Sequence, residues 1–362
     1  MYIKKVEIVN FRNYNSVTVN LHDKINIIYG NNAGGKTNLL ESIYVLGLTK
    51  SHRSFIDNNL IKNGCDFFKL KGLLVKDGIK YNLEINNNRR KRMLLDQKEI
   101  NKISEYISNM NIIIFYPEDL EIIKGSPGVR RNFLDLELSQ LYSNYINILT
   151  EYNRLLKMRN ERLKIENDYG DQYLDILTEY LVDRGVMIYK MRLKLVTRLN
   201  EYCSDIYEDL TGNKGFVIKY RPNILINADN IKEKYLETYK KNRFKEFKVG
   251  KTLYGPHLDD IEFYLNDVNL KHYGSQGQQR ISVIATKLAE IEIFKKYKKE
   301  IPILLLDDVF SELDVEKRNN LLKYIDGDIQ TIITTTDLEN FDKDILANSK
   351  IIKIENGKII EN

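Results

Sequence analysis

The chain has 362 residues, 43% of them hydrophobic, so it can form two domains or one large domain that carries an insertion. Lys and Arg exceed Asp and Glu by five, a balance that permits a polyanionic partner without requiring one. Cys65 and Cys203 lie far apart without closely spaced Cys or His, which argues against a zinc motif and a disulfide framework. Neither a signal-peptide core nor a membrane-length apolar segment occurs, so we expect a cytoplasmic protein with no membrane partner.

The first hundred residues predict mostly strands. Alternating apolar residues predict two strands within residues 6–21, and the apolar run Ile25–Tyr29 predicts a buried third strand. Residues 37–48 change to a helical apolar stripe, so a strand, a glycine-rich turn and a helix follow one another. Residues 67–95 return to short strands, with turns expected at Asp77 and Gly78 and at residues 86–88.

The middle of the chain has a helical period instead. Apolar residues recur at steps of three and four over residues 141–155 and 177–206, which predicts two long helices. The polar segment 157–171 separates them and predicts an antiparallel pair. Strands return after residue 252, so we expect both ends of the chain to build one strand-rich head around an inserted helical arm.

Residues 30–37 match a phosphate-binding loop: Gly, four residues, Gly, Lys and Thr, between a predicted strand and a predicted helix. Glycines let backbone N–H groups point at phosphates, and the helix N-terminus favours the same anion. We expect Lys36 to reach the terminal phosphates of ATP and Thr37 to bind Mg²⁺. An ordinary glycine-rich turn is the alternative. The expected nucleotide contacts are Gly30, Asn31, Asn32, Ala33, Gly34, Gly35, Lys36 and Thr37.

A second motif is an apolar strand, residues 303–306, that ends in Asp307 and Asp308 as a Walker B segment does. We expect Asp307 to hold Mg²⁺. Asp308 is expected to orient or deprotonate the attacking water, so Asp308 and Lys36 are the predicted catalytic residues. The alternative is a strand that ends in a capping Asp.

Residues 274–280, Gly-Ser-Gln-Gly-Gln-Gln-Arg, open a predicted helix and look like the signature motif of ABC-type ATPases. In those proteins a Ser and a Gly at a helix N-terminus cap the γ-phosphate that the partner subunit holds. One loop and one signature per chain therefore predict an ATP-dependent homodimer. An ordinary N-cap serine is the alternative. The residues expected at the ATP-bridged interface are Ser275, Gln276, Gly277 and Gln278, with Ser311 and Asp314 of a D-loop after Walker B.

These motifs predict an α/β fold: an ABC-type ATPase head of mixed sheets and helices, formed by residues 1–126 and 250–362, with a helical arm domain at residues 127–249. Over nearly its whole length the chain also resembles the RecF family, whose ATPases are related to the heads of SMC and Rad50 proteins. Leu258 departs from the usual Arg of that family, and Gly34 from a common Gln. The stretches that carry the resemblance are residues 10–14, 37–41, 51–53, 116–120, 124–125, 130–131, 133–135, 255–257 and 259–260.

The resemblance implies an ATP-controlled DNA-binding protein that acts with RecR and RecO at single-strand to double-strand junctions and helps place RecA on gapped DNA. Replication restart and the SOS response follow from that role. The family implies a weak ATPase with slow, DNA-stimulated hydrolysis. The residues fit slowness, because Asp308 is one methylene shorter than the Glu of fast ABC ATPases and Thr336 and Asp337 stand where a switch His is usual.

Basic clusters at residues 89–92, 240–245 and 295–299 are the sequence's candidates for DNA phosphate contacts, although each also fits a solvated surface. The first is preferred because a predicted turn can project its charges into a groove. It consists of Arg89, Arg90, Lys91 and Arg92. The four histidines have no metal-binding spacing and are expected to be structural unless His257 or His52 approaches the nucleotide.

Three other classes share part of this pattern. A transporter ATPase subunit has the same motifs, but the missing switch His and the long helical interval before Walker B argue against it. An ATP-coupled nuclease would need a nuclease domain or an acidic two-metal cluster, and neither pattern is recognised. An SMC-like structural head is the closest alternative, and it would need much longer heptad repeats.

Overall fold

The computed structural model describes residues 1–54, 56–165, 172–224, 230–313, 315–325, 328–339 and 341–360. Contacts group the chain into two units: residues 1–119, 208–212 and 284–362 form the first, and residues 120–207 and 213–283 form the second. Among the described helices, none combines the length and the apolar character that crossing a bilayer requires. The boundaries expected after residues 126 and 249 stay predictions.

The described strands are β1 Tyr2–Phe11, β2 Tyr14–Asn20, β3 Ile25–Tyr29, β4 Phe67–Lys76, β5 Ile79–Asn88, β6 Arg90–Leu95, β7 Lys98–Ile100, β8 Ile112–Phe115, β9 Phe216–Arg221, β10 Asp260–Leu265, β11 Val268–Asn269, β12 Ile303–Asp307, β13 Thr331–Thr335, β14 Ser349–Glu355 and β15 Lys358–Ile360. The α-helices are α1 Lys36–Leu48, α2 Ile103–Ile107, α3 Glu121–Lys124, α4 Pro127–Leu141, α5 Tyr145–Leu163, α6 Gln172–Thr211, α7 Ile231–Val249, α8 Leu270–Tyr273, α9 Gln276–Ile293, α10 Val315–Ile325 and α11 Lys343–Ala347.

One sheet of the first unit is antiparallel, in the order β2-β1-β4-β5-β6-β7. The predicted turn between β4 and β5 is confirmed, with positive φ of 51° at Asp77 and 77° at Gly78, as a two-residue hairpin turn requires. The turn expected at residues 86–88 is wrong. Because β5 is paired on both sides, the strand continues to Asn88, and the chain turns at Arg89 with φ 57°.

The other sheet of the first unit has the order β15-β14-β3-β13-β12-β8 and is parallel except for the β14–β15 hairpin. Its central strands are buried on both faces, and for this reason β12 reads as a continuous apolar run. Helix α1 contacts strands of both sheets, and most of its residues are buried. The carboxyl ends of β3, β12 and β13 meet at one edge, where α/β sheets place their ligands.

In the second unit, α5 and α6 form the predicted antiparallel helical pair. Arg184 Nε donates to Glu151 Oε2 at 2.7 Å, and Arg159 Nε donates to Thr178 Oγ1 at 2.9 Å. The partner number on α6 falls as the number on α5 rises, which is the pattern of antiparallel helices. Arg159 also pairs with the buried Glu246 of α7 at 2.7 Å. The strands β9, β10 and β11 form a small antiparallel sheet in the same unit.

Candidate nucleotide-binding site

The predicted phosphate loop connects β3 to α1. Its backbone is left-handed or extended at several points, with φ 149° at Gly30, 62° at Ala33 and 117° at Gly35. A Cβ on Gly30 would stand 2.1 Å from the carbonyl oxygen of Ile354, so no side chain fits there. Gly35 caps α1 without a side-chain hydrogen bond, which leaves the first backbone N–H groups of the helix available to an anion.

Lys36 lies within this loop and is only 7% exposed. Its Nζ donates to the carbonyl oxygens of Gly30 at 2.7 Å and Asn31 at 3.0 Å. Burial lowers the pKa of Lys36, and the carboxylates of Asp308 and Asp307 oppose that change. The ammonium group is therefore held inside the curl of the loop, where a bound phosphate would meet it.

The Walker B carboxylate lies beside this loop. Asp307 ends β12, is 5% exposed, and its Oδ1 accepts from Thr37 Oγ1 at 2.9 Å and from Thr334 Oγ1 at 2.6 Å. Burial raises the pKa of Asp307, and the two hydroxyl hydrogen bonds oppose the change. A hydroxyl and a carboxylate at this separation are the hard oxygen donors that Mg²⁺ prefers, so the donor set fits the ion. Thr334 was missed by the sequence reasoning.

Asp308 follows directly and takes the chain out of β12 with a positive φ of 52°. Its backbone N–H donates to Thr334 Oγ1 at 3.0 Å. A left-handed conformation costs energy for any residue with a side chain, and such conformations cluster at functional sites. The position of Asp308 at this edge is compatible with its predicted role as a base, which stays a prediction.

Two hairpins support the loop from outside. Tyr14, at the start of β2, is fully buried, and its hydroxyl donates to the carbonyl oxygen of Gly35 at 2.9 Å. At the β14–β15 turn, the N–H of Gly357 donates to the carbonyl oxygen of Gly34 at 2.8 Å. The Gly35 carbonyl also accepts the first hydrogen bond of α1, from Leu39 N–H at 3.0 Å, so the two hairpins add to the bonds that hold the loop shape within the monomer.

Three of the stretches that carried the family resemblance converge on Glu41 of α1, which is fully buried. Arg12 donates to its two carboxylate oxygens at 2.9 and 2.6 Å, and Ser51 Oγ donates at 2.5 Å. Arg53 lies 3.5 Å from Glu41 and donates to Asn38 Oδ1 at 3.1 Å. Burial alone would raise the pKa of Glu41, but the hydrogen bonds from Arg12 and Ser51 outweigh it and lower the pKa.

His52 stands between two tyrosines, with ring centroids 5.0 Å from Tyr44 and 4.8 Å from Tyr116. Both ring nitrogens are buried and have no hydrogen-bond partner, and burial lowers the pKa of His52 to about 4. His257 is also held inside its unit, because its Nδ1 lies 2.7 Å from Tyr152 Oη and its Nε2 lies 3.2 Å from the carbonyl oxygen of Thr252. Both geometries agree with the expectation that the histidines are structural.

The predicted signature belongs to the second unit. Ser275 and Gln278 cap α9 reciprocally: Gln278 N–H donates to Ser275 Oγ at 3.2 Å, and Ser275 N–H donates to Gln278 Oε1 at 2.9 Å. Helix capping thus accounts for both side chains, but it does not account for Gly277. A Cβ at Gly277 would have no atom within 4 Å, so nothing in its own unit requires glycine there.

The remaining predicted positions are the D-loop residues and the preferred basic cluster. Ser311 lies in the 3-10 helix Val309–Glu312, and Asp314 lies outside the described residues. In the basic cluster, Arg90 pairs with Glu99 at 3.2 Å and Lys91 pairs with Asp57 at 2.7 Å. The exposed members are Arg89, Arg90 and Arg92.

The stretches at residues 130–131 and 259–260 are joined inside the second unit by one ion pair and one hydrogen bond. Arg130 binds both carboxylate oxygens of Asp260, at 2.6 and 2.9 Å, and Arg131 donates to the carbonyl oxygen of Asp259 at 2.9 Å. Leu258, which replaces the usual Arg of the family, is 42% exposed. The Arg130–Asp260 ion pair and the Arg131 hydrogen bond are therefore both formed with Leu at position 258.

Comparison with known proteins identifies the family of this chain. The model of the RecF/RecN/SMC N-terminal domain matches residues 2–359. The protein named DNA replication and repair protein RecF of Bacillus cytotoxicus is 40% identical over 366 residues, covering 99% of this chain and 98% of its own length. That of Bacillus cereus (strain AH820) is 40% identical over 368 residues, with the same coverage. The chain belongs to the RecF family.

Solved structures agree with this placement. One described as the recombination mediator protein RecF-ATP in the RecFOR pathway has a TM-score of 0.92 and 32% identity, and the match covers 100% of this chain and 97% of the other. An Smc head bound to the C-winged helix domain of ScpA has a TM-score of 0.57 at 18% identity, covering 99% and 97%. The α/β fold of ATPase heads, mixed sheets with helices, is confirmed.

Proposed function

We propose that this chain is an ATP-controlled, DNA-binding protein of recombinational gap repair that acts in the cytoplasm. One observation carries the nucleotide part: the hydroxyl of Thr37 donates to the carboxylate of Asp307 at 2.9 Å, across 270 positions of sequence. A phosphate loop and a Walker B strand that meet in this way bring together the groups that ATP and Mg²⁺ need. The 40% identity to RecF proteins over the full length supports the repair role.

In this proposal Thr37 and Asp307 hold Mg²⁺, and the bound ion supplies positive charge that neutralises the phosphates. Lys36 would exchange its bonds to the Gly30 and Asn31 carbonyls for bonds to phosphate oxygens. Asp308 would accept a proton from the attacking water. Its short side chain reaches less far than Glu, and Thr336 and Asp337 follow β13 without a His, so we expect a weak ATPase that works as a timed switch.

We further propose that ATP joins two chains through the signature. Glycine in the first turn of a helix costs up to about 1 kcal/mol relative to alanine, and no neighbour in its unit requires Gly277. A close approach by a group outside that unit would require it. The phosphates of ATP bound to the loop of a second chain are such a group, and one loop with one signature per chain makes the arrangement a symmetric dimer.

The proposed partners are single-strand to double-strand DNA junctions, RecR, RecO and RecA. Family membership carries this part, and a solved relative is described as acting in the RecFOR pathway. An SMC-like structural head is the second candidate, because Smc heads share the fold. The TM-score of 0.57 for the Smc head against 0.92 for RecF-ATP favours the RecF role.

Sedimentation with and without Mg²⁺ and ATP tests the shared site. Wild type is expected to become a dimer with ATP, whereas Lys36→Arg and Ser275→Arg are expected to remain monomers. Ser275→Arg should still bind ATP as a monomer, because its loop is intact. Ser16→Arg, at an exposed serine of β2, is the charge-matched control and should dimerise normally. Unchanged dimerisation of either site variant would contradict the model.

A further inference from the structure

A polar cavity of about 800 Å³ that is widely open to solvent lies in the first unit, where β5 turns into β6. Its walls come from residues 58 and 61–67 and from residues 87–89. Sites for small organic ligands commonly measure about 300 to 1,000 Å³, so the cavity has room for a ligand of nucleotide size. None of the predicted ATP contacts lines it, and the proposed ATP chemistry leaves it unused.

Four asparagines are among the lining residues: Asn58, Asn63 and Asn88, which are exposed, and Asn87, which is buried. An amide offers both a donor and an acceptor, the same combination that the edges of nucleic acid bases present. Phe67, which is partly exposed, adds a flat apolar surface on which a base can stack. This combination of groups suits a base better than it suits a simple anion.

The charged groups of the lining point the same way. Arg89 supplies exposed positive charge from the left-handed turn between the strands, where its φ is 57°, whereas the ammonium of Lys62 donates to the carbonyl oxygen of Asn13 at 2.8 Å. Asp66 supplies one exposed carboxylate, which would repel a bare phosphate but would accept a hydrogen bond from a base amino group. A ligand with a phosphate at one end and a base at the other can contact the positive charge with its phosphate and the Asp66 carboxylate with its base amino group.

The sheet beside the cavity extends the basic surface. Asn88 pairs with Arg90 and Asn86 pairs with Arg92 across β5 and β6, and residues paired in this way lie on one face. Arg90 has Glu99 as a partner, and Lys91 has Asp57. Arg89, at the cavity itself, is therefore the member of the predicted basic cluster best placed to contact a phosphate of the bound ligand.

We propose that this cavity receives one unpaired nucleotide of DNA, with Arg89 at its phosphate, asparagine amides at its base edge and Phe67 against its ring. The nucleotide must be unpaired because pairing would occupy the base edge that the amides read. The assignment rests on the proposed DNA-binding function and deepens it: this surface takes the single-stranded side of a junction.

Cys65 offers a direct test, because it lines the cavity and is partly exposed, whereas Cys203 is fully buried. Alkylation of the full-length protein by N-ethylmaleimide should modify Cys65 first. The probe is a gapped duplex, and an unbroken duplex of the same length is the control. Every DNA sample contains ATP and Mg²⁺, and DNA-free protein is alkylated both with and without them. At gapped DNA about ten times its dissociation constant, alkylation of Cys65 should slow about tenfold, because only the free protein reacts.

Binding is followed by fluorescence anisotropy on the same samples, so that failure of the cavity assignment can be distinguished from failure of DNA binding itself. If anisotropy shows that gapped DNA is bound while Cys65 reacts at its original rate, the cavity assignment is overturned and DNA binding stands. If no DNA binds, the proposed function itself fails. Equal protection by the unbroken duplex would also overturn the assignment, as would protection by ATP and Mg²⁺ alone.

Substitutions provide a second, independent test with a neighbouring control. Arg89→Ala should weaken binding of gapped DNA about tenfold and should reduce the salt slope of log affinity by about one. Arg90→Ala removes the same charge one residue away, at a side chain that pairs with Glu99, and should have a smaller effect. Asn88→Ala should weaken gapped DNA more than unbroken duplex. Equal losses for Arg89→Ala and Arg90→Ala, or equal losses on both DNAs for Asn88→Ala, would contradict the proposal.

Discussion

The phosphate loop and the signature are both helix N-termini suited to an anion, but they differ in how far their own surroundings explain them. Gly30 is required by the nearby Ile354 carbonyl, and Gly35 lies against Tyr14. Gly277 has no atom near the place where a Cβ would stand. The loop is therefore shaped by intrachain packing, whereas packing within its own unit imposes no requirement for glycine at the signature.

The largest expected effect is at the loop. Gly30→Ala should destabilise the protein by about 4 kcal/mol, because the new Cβ meets backbone oxygen 2.1 Å away and φ is 149°. Gly64→Ala is the control, since Gly64 also has a positive φ, 81°, but open space around it, so only about 1 kcal/mol of backbone strain applies. Urea unfolding compares them. Equal losses would mean that the contact with Ile354 does not shape the loop.

At the signature the same substitution should act in the opposite direction on stability. Gly277→Ala should leave the monomer as stable or up to about 1 kcal/mol more stable, because alanine favours the helix and fits its unit. ATP-dependent dimerisation should weaken at least about tenfold, because an added methyl group overpacks a close interface. Unfolding and sedimentation measure the two effects. A destabilised monomer, or a dimer of wild-type strength, would contradict the view that packing within the unit does not require Gly277 and that the dimer interface does.

The pH dependence of stability tests the burial of His52 between Tyr44 and Tyr116. The pKa of His52 is about 4 in the folded chain against 6.5 for an unperturbed His, so folding favours the neutral ring. The stability this contributes is fully present above pH 6.5 and is lost as pH falls toward 4. Relative to His52→Phe, wild type should lose about 2 kcal/mol between pH 6.5 and pH 5. Parallel stability curves for the two proteins would show that burial does not hold His52 neutral.

The smallest expected effect concerns the hairpin support of the loop. Tyr14→Phe removes the hydroxyl bond to the Gly35 carbonyl but keeps the buried ring. It should cost about 1 kcal/mol of stability and weaken ATP binding about fivefold, because the Gly35 carbonyl loses its second donor next to the site and keeps only its bond from Leu39 N–H. Titration calorimetry measures the affinity, and Tyr142→Phe in the second unit serves as the matched control. Unchanged ATP affinity would show that the hydrogen bond from Tyr14 does not contribute to ATP binding by the loop.

Much of the site was predictable because its signals are local. The strand, loop and helix over residues 25–48 and the Walker B strand depend on short-range periodicity and on glycine positions, and both predictions are confirmed. The turn at residues 86–88 was wrong because asparagine has low strand preference, which pairing on both sides overrides here. The roles of Asp308, Ser311 and Asp314 stay predictions.

By itself, the sequence determined the motifs, the alternation of element types and the family. Only the tertiary structure decided that residues 10–14, 37–41 and 51–53 meet at Glu41, that Thr334 joins Thr37 on Asp307, and that Gly357 supports the loop. The physical reason is that periodicity and turn preference act between near neighbours, whereas these contacts depend on the order in which distant strands enter a sheet. That order follows from the packing of the whole chain.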